Sequence, residues 1–227
     1  MEYNDKNYGK INNDWHLKDS KWKSEKVYNL IEKNQIKLNS IIDIGCGVGG
    51  VIYELSKNYK NSLELLGVDY SDNVIEKAKE IFDSKVNFKS IKNLKEINSN
   101  YDLAIVMDVF EHVENYYEFL KDLKSISEYK IFHIPLDICL PNIIFNRFNK
   151  LNNELGHLHY FNKETALLTL ENCSYSIIDY KYTNGSVVFA RSFYEKILKY
   201  PRHLISLFSP KLSQLLFGGF SLIVLTK

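Results

Sequence analysis

The stretch Ile41-Ile42-Asp43-Ile44-Gly45-Cys46-Gly47-Val48-Gly49-Gly50 constrains this chain more than any other. Residues 41–44 are apolar except for Asp43, as in a strand buried on both faces of a parallel sheet, and residues 45–50 carry four glycines. Glycine at alternate positions removes each Cβ where the backbone has to turn tightly, and it lets a ligand touch the main chain. Beyond the loop, Val51-Ile52-Tyr53-Glu54-Leu55 has helical spacing, so free N–H groups at a helix start point at whatever occupies the loop. A carboxylate or a phosphate fits there.

Two cofactor classes use this architecture. Gly45, Gly47 and Gly50 satisfy the dinucleotide pattern, whereas Gly45, Gly47 and Gly49 satisfy the tighter G-x-G-x-G of methyltransferases. Asp43 tips the balance between them. An acid two residues before the first glycine would repel a pyrophosphate, but it can help hold the cationic amino group of a methionine moiety. A second acid, Asp69, ends the run Leu63-Glu64-Leu65-Leu66-Gly67-Val68, where a second parallel strand would stop, and suits a ribose diol in either class.

On these residues the chain resembles the class I S-adenosylmethionine-dependent methyltransferases, in particular the large group acting on small molecules. The matching stretches run in order through residues 41–49, Gly67-Val68-Asp69-Tyr70-Ser71, residues 101–113 and Gly156-His157-Leu158-His159-Tyr160-Phe161-Asn162. The resemblance implies a Rossmann-like, doubly wound α/β fold. Its seven-stranded sheet would be mostly parallel with an antiparallel last strand and helices on both faces. It implies S-adenosyl-L-methionine as cofactor, with contacts from Asp43, Gly45, Cys46, Gly47, Gly49, Asp69, Tyr70, Met107, Asp108 and His112. Many members carry an acid for the adenine after the third strand; Lys89-Ser90-Ile91 stands there in this chain, leaving Ser90 or backbone groups for that contact. A helix before the first strand often roofs the cofactor, which makes Trp15, His16, Trp22 and Lys23 lid candidates, although aromatic residues at helical spacing are usually packing.

Asp108-x-x-Glu111 reads as a capping box, an N-cap acid with a Glu three residues on, ahead of the apolar Val113, Phe119 and Leu120. Some ubiquinone-pathway methyltransferases that match here place a divalent metal on an acid, a Glu and a His at the positions of Asp108, Glu111 and His112. Glu and His adjacent on a helix do not share a face, so the cap is the reading kept and no metal is expected.

Composition agrees with one domain over residues 1–227. A chain of 227 residues with 45% hydrophobic and 25% charged residues can bury one substantial core. Net charge is +1 and the lysines are spread out, so no nucleic-acid partner is indicated. Cys46, Cys139 and Cys173 are odd in number and lack C-x-x-C spacing, which argues against a disulfide framework or zinc site and fits a reducing cytoplasm. There is no signal-peptide core and no apolar run near the roughly 20 residues that cross a bilayer, so a soluble protein is expected.

Periodicity predicts helices over 15–32, 71–80 (capped by Ser71) and 163–172, and strands over 86–88, 101–107, 129–135, 175–182 and 221–225. Residues 1–38 are expected to form an N-terminal helical lid. The long connection 136–161 and the basic, amphipathic stretch 189–217, with room for two helices, are expected on the acceptor side. Packing on the sheet edge is the plainest reading of 189–217, ahead of pocket cover and, last, contact with a membrane surface.

Methyl transfer from a sulfonium is an in-line displacement, and a base is needed only if the acceptor carries a proton. His133, His157 and His159 are the candidates, since a neutral histidine can accept a hydroxyl proton; His157, after a glycine at the pocket end of the chain, comes first. The expected function is O-methylation of a small polar metabolite, which by resemblance is a sugar or an envelope-glycan precursor. One alternative is N-methylation of a small amine, needing no strong base. Another is a catalytically silent cofactor-binding subunit, which would keep Asp43, the glycines and Asp69 without an acceptor pocket.

Overall fold

The computed structural model describes residues 17–59, 63–189 and 193–227, with backbone alone at 193–195. Seven strands carry the fold: β1 (Ser40–Ile44), β2 (Glu64–Asp69), β3 (Asn87–Ser90), β4 (Tyr101–Met107), β5 (Ser127–Pro135), β6 (Ile177–Thr183) and β7 (Ser221–Thr226). They form one sheet in the order β3-β2-β1-β4-β5-β7-β6. β1 pairs in parallel with both β2 and β4, β2 with β3, and β7 runs antiparallel to β6. The chain thus travels outward from β1 to β3 and returns beside β1 as β4, which is the order reversal at whose strand ends ligands bind in open parallel sheets.

Ten helices surround the sheet among the described residues: α1 (Leu17–Lys33), α2 (Gly50–Ser56), α3 (Asp72–Ile81), α4 (Tyr116–Leu123), α5 (Leu140–Ile144), α6 (Phe148–Leu155), α7 (Lys163–Asn172), α8 (Gly185–Val188), α9 (Phe193–Phe208) and α10 (Pro210–Phe217). Caps set several of their starts: the Ser71 hydroxyl accepts from Val74 N–H before α3, and Asn162 from Thr165 N–H before α7.

The chain makes two compact units, residues 1–107 with 121–131, and residues 108–120 with 132–227. In the first, Ile41, Ile42, Leu103, Ala104 and Ile105 are fully buried, the result of continuous apolar runs in β1 and β4. Their register is fixed at the entry end, where the Asp102 carboxylate accepts from Asn39 N–H (2.5 Å) and Ser40 N–H (3.0 Å). In the second, Phe110 packs edge-on against Phe132 and Phe161, and Phe132 against Tyr175, whose hydroxyl donates to Leu120 O at 2.6 Å.

Two expectations shift, and a third falls outside the described residues. Trp15 and His16 lie outside the described residues, as does the chain before them. The long connection after β5 is not a loop throughout, since α5 and α6 occupy half of it. Asp108 and Glu111 make no capping box: Asp108 is left-handed (φ 55°), residues 110–112 form a 3-10 turn with no side-chain cap, and α4 starts only at Tyr116. The Asp108 carboxylate is held elsewhere, by His133 on β5.

Candidate active site

In the first unit the glycine loop is anchored to the end of β2, with Gly45 N–H and Cys46 N–H both donating to Val68 O at 2.8 and 3.0 Å. Gly47 N–H donates to Asp69 Oδ2 (2.9 Å) and Ser71 N–H to Asp69 Oδ1 (3.0 Å). Both carboxylate oxygens are thereby aimed by backbone, and a carboxylate oxygen can accept more than one hydrogen bond. At Gly47 (φ 55°) an added Cβ would meet nothing within 4 Å, so the loop backbone is open to a ligand there. At Gly49 (φ 80°) it would come within 2.2 Å of the Phe88 ring, so that glycine serves packing.

Asp43, next to last in β1, is 2% exposed, and among the described residues its Oδ1 has no hydrogen-bond partner. Burial, and then the charge of Asp69, push its carboxyl up to about 8, against the opposing pull of Lys23. A buried acid of this kind fits a site that supplies it with a cation. Lys23 belongs to α1, which packs against α2; a Cβ at Gly50 would meet Ser20 Oγ of α1 at 2.3 Å. Trp22 is half-buried with Lys26 Nζ 5.3 Å over its ring, a packing role.

The remaining cofactor candidates of this unit divide. Met107 is buried at the end of β4. The Cys46 thiol donates to Gly47 O, and burial raises it well above the ordinary thiol range, so it is no nucleophile. Ser90 sits opposite Asp69 in register, yet it and then Lys92 bond the Asp72 carboxylate and lower its pKa. Tyr70 is exposed, with Lys92 Nζ 4.7 Å over its ring.

The second unit gathers the histidines. His133 is buried and committed at both nitrogens, Nδ1 to Asp108 Oδ1 (2.6 Å) and Nε2 to Thr183 Oγ1 (2.9 Å). His159 bonds Val113 O through Nε2 (2.9 Å) and packs edge-on against Tyr116. His157, buried, holds Asp137 Oδ2 through Nδ1 at 2.6 Å. His112 stands edge-on to it with ring centroids 5.0 Å apart, its Nδ1 3.0 Å from Gly156 O. A carbonyl only accepts, so Nδ1 of His112 carries the proton. Burial also pulls His112 below the usual histidine range, outweighing that bond. Leu158 N–H and His159 N–H both donate to Glu111 O, which pins this segment to the 110–112 turn. Possible ligand atoms of Glu111, His112 and His157 lie within 4.8 Å of one another. Asp137 and Thr183 escaped the sequence reading; an acid set in the apolar run Ile134-Pro135-Leu136-Asp137-Ile138 just past a strand end was the available signal for the first.

A family model described as a methyltransferase domain matches residues 15–173. The chain belongs to that family. Norajmaline N-methyltransferase of Rauvolfia serpentina is 26% identical to this methyltransferase over 106 residues, 44% of this chain and 36% of the relative. The tRNA N(3)-methylcytidine methyltransferase trm140 of Schizosaccharomyces pombe is 33% identical over 97 residues, 40% of this chain and 31% of the relative. The matches therefore span about a third of the length of these curated relatives. In fold, the methyltransferase resembles the magnesium protoporphyrin IX methyltransferase of Synechocystis PCC 6803, solved with bound S-adenosylhomocysteine, at a TM-score of 0.58 and 17% identity, covering 91% of this chain and 82% of that one. The domain is of the S-adenosylmethionine-dependent class, and S-adenosylmethionine is its cofactor.

Proposed function

We propose that this methyltransferase O-methylates a small polar metabolite, a sugar or envelope-glycan precursor by resemblance, with His157 as general base. The contact of 2.6 Å between Asp137 Oδ2 and His157 Nδ1 carries the reading. A carboxylate only accepts, so the proton stays on Nδ1 and Nε2 keeps its lone pair. A hydroxyl must lose its proton as its oxygen gains the methyl; Nε2 takes that proton and Asp137 stabilises the resulting imidazolium. Bound S-adenosylmethionine supplies a methyl on a sulfonium, whose sulfur leaves without protonation.

The chain's own work is otherwise orientation. Asp43 holds the cofactor amino group, Asp69 the ribose hydroxyls, and Gly45, Cys46, Gly47 and Gly49 the backbone face of the cradle. Tyr70, Ser90, Met107, Asp108 and His112 complete the cofactor contacts. His133 is better placed to fix Asp108 than to take a proton, because both its nitrogens are engaged. Within the N-terminal segment, α1 acts as lid, which its packing on α2 supports, and 136–161 and 189–217 belong to the acceptor side of one domain. A cytoplasmic setting accords with three free cysteines.

A second reading, N-methylation of a small amine, is favoured by the match to an N-methyltransferase. An amine brings its own lone pair and needs no strong base. Methyl-labelled cofactor offered with panels of hydroxylated metabolites, amines and tRNA decides between them. The first reading expects label on a hydroxyl, with turnover lost in His157→Ala; label on an amine with full activity in that variant replaces it by the second.

A further inference from the structure

Five large apolar side chains of α9 stand in solvent: Ile197, Tyr200 (76% exposed), Leu204, Leu207 (67%) and Phe208 (86%). Their spacing of three, four, three and one residues places them on a single stripe of the helix. The other side of α9 is already used. Arg202 is buried, its guanidinium donates to Ser186 Oγ (2.9 Å) and Phe217 O (3.1 Å), and Ser213 Oγ of α10 donates to Arg202 O (2.8 Å). Packing therefore accounts for the Arg202 face and leaves the apolar stripe over. The helix next to it continues the pattern, with Leu212 and Leu215 of α10 exposed. α10 packs in turn on α5, where Ile143 and Ile144 are exposed with Phe145 just beyond, and Gln214 ties it there by donating to Leu136 O and Ile138 O.

Charge selects the occupant. Residues 193–217 contain Lys196, Lys199, Arg202, His203 and Lys211 against one acid, Glu195, in a chain whose net charge is only +1. At about 100° per residue, Lys196, Lys199 and His203 fall along one border of the stripe. Lys211 is partnered by Glu164 at 2.6 Å. A wide aliphatic and aromatic stripe bordered by lysines is the pattern of a helix lying in a bilayer interface, where lysine stems follow the apolar boundary and their ammonium groups reach lipid phosphates. No helix among the described residues is long and apolar enough to cross a membrane, and α9 spans only 16 residues with Pro201 inside it, so the contact is with the surface. We propose that α9 and α10 seat this protein on an anionic phospholipid surface.

Flotation of the full chain with vesicles of phosphatidylcholine, alone or mixed equally with phosphatidylglycerol, tests this. The mixed vesicles are expected to bind about tenfold tighter or more, with binding weakening as salt rises. Combining Tyr200→Ser, Leu204→Ser and Phe208→Ser should lower vesicle affinity by about tenfold or more, with S-adenosylhomocysteine binding preserved as evidence of an intact fold. Lys196→Glu with Lys199→Glu should erase the preference for the anionic mixture. Absence of flotation with either vesicle, or equal binding by the triple variant and parent, overturns the proposal. So does a dimer in sedimentation velocity that the triple variant dissolves while vesicles bind neither protein, which gives the stripe to a second copy. Vesicle binding is read without turnover, so its failure leaves the proposed methyl transfer standing.

Discussion

Asp43 and Asp69 sit on adjacent strands of the same unit, and their surroundings give them opposite tasks. Asp69 has both oxygens aimed by backbone N–H groups, so it is prepared to remain charged and accept from hydroxyls. Asp69→Ala should weaken S-adenosylmethionine by about 1.5–3 kcal/mol, the range for a charged hydrogen bond. Calorimetry showing unchanged affinity, or tighter binding of NAD than of S-adenosylhomocysteine, would remove the assignment. Asp43, with its carboxyl near 8, is mostly protonated at neutral pH. Holding a cofactor ammonium requires the carboxylate, so binding releases a proton, and affinity should rise from pH 6 towards 8 and then level. Asp43→Asn should bind more weakly and lose that slope; a flat profile in the parent protein contradicts the role. Stability moves the other way. The folded chain keeps a proton that the unfolded chain gives up near pH 4, so Asp43 costs stability progressively as pH climbs from about 4 to about 8. Asp43→Asn should flatten the fall in melting temperature over that window.

At the scale of elements, the segment 157–159 pinned to the 110–112 turn is what presents His157. His157→Ala is expected to lower turnover by about 10²–10⁴-fold with S-adenosylhomocysteine affinity intact. Asp137→Ala should lower turnover less and shift the pH–rate profile, because Asp137 acts only through the imidazole. Loss of cofactor binding and folding in both variants would make the pair structural. Turnover should also survive exhaustive chelation; restoration by magnesium or manganese after chelation would turn Glu111, His112 and His157 into a metal site. How much of this was legible depended on how local its cause is. β4 and α7 match their expected bounds because a continuous apolar run and an Asn-x-x-Thr cap reside within the element itself. The Asp108–Glu111 cap failed because the conformation of Asp108 is decided by His133, 25 residues away. Asp137 stayed hidden for the same reason, since its partner lies 20 residues on. The stripe on α9 was legible as apolar spacing, but whether it faces protein or solvent depends on packing that periodicity does not encode.

For the whole molecule, the seven strands and the antiparallel last one came from the resemblance, and no residue pattern states that β7 inserts between β5 and β6. What the residues do carry is the division of labour. The proposed cofactor cradle of Asp43, the glycines and Asp69 lies in one unit, and the His157–Asp137 pair in the other. β5 contributes residues to both, 127–131 to the first and 132–135 to the second, so neither unit owns all of its strands. Chains that share elements in this way are expected to unfold as one cooperative system. A ligand bound in one unit must then raise the melting temperature of the entire chain. At 100 times its Kd, S-adenosylhomocysteine adds about 2.7 kcal/mol, which for a chain of this length is a shift of about 5–10 °C. Scanning calorimetry should show a single transition moving by that amount, no movement with NAD, and a much smaller shift in Asp69→Ala at the same ligand concentration. Two transitions, of which the ligand moves only one, would mean that the units fold independently and that the shared strand does not couple them.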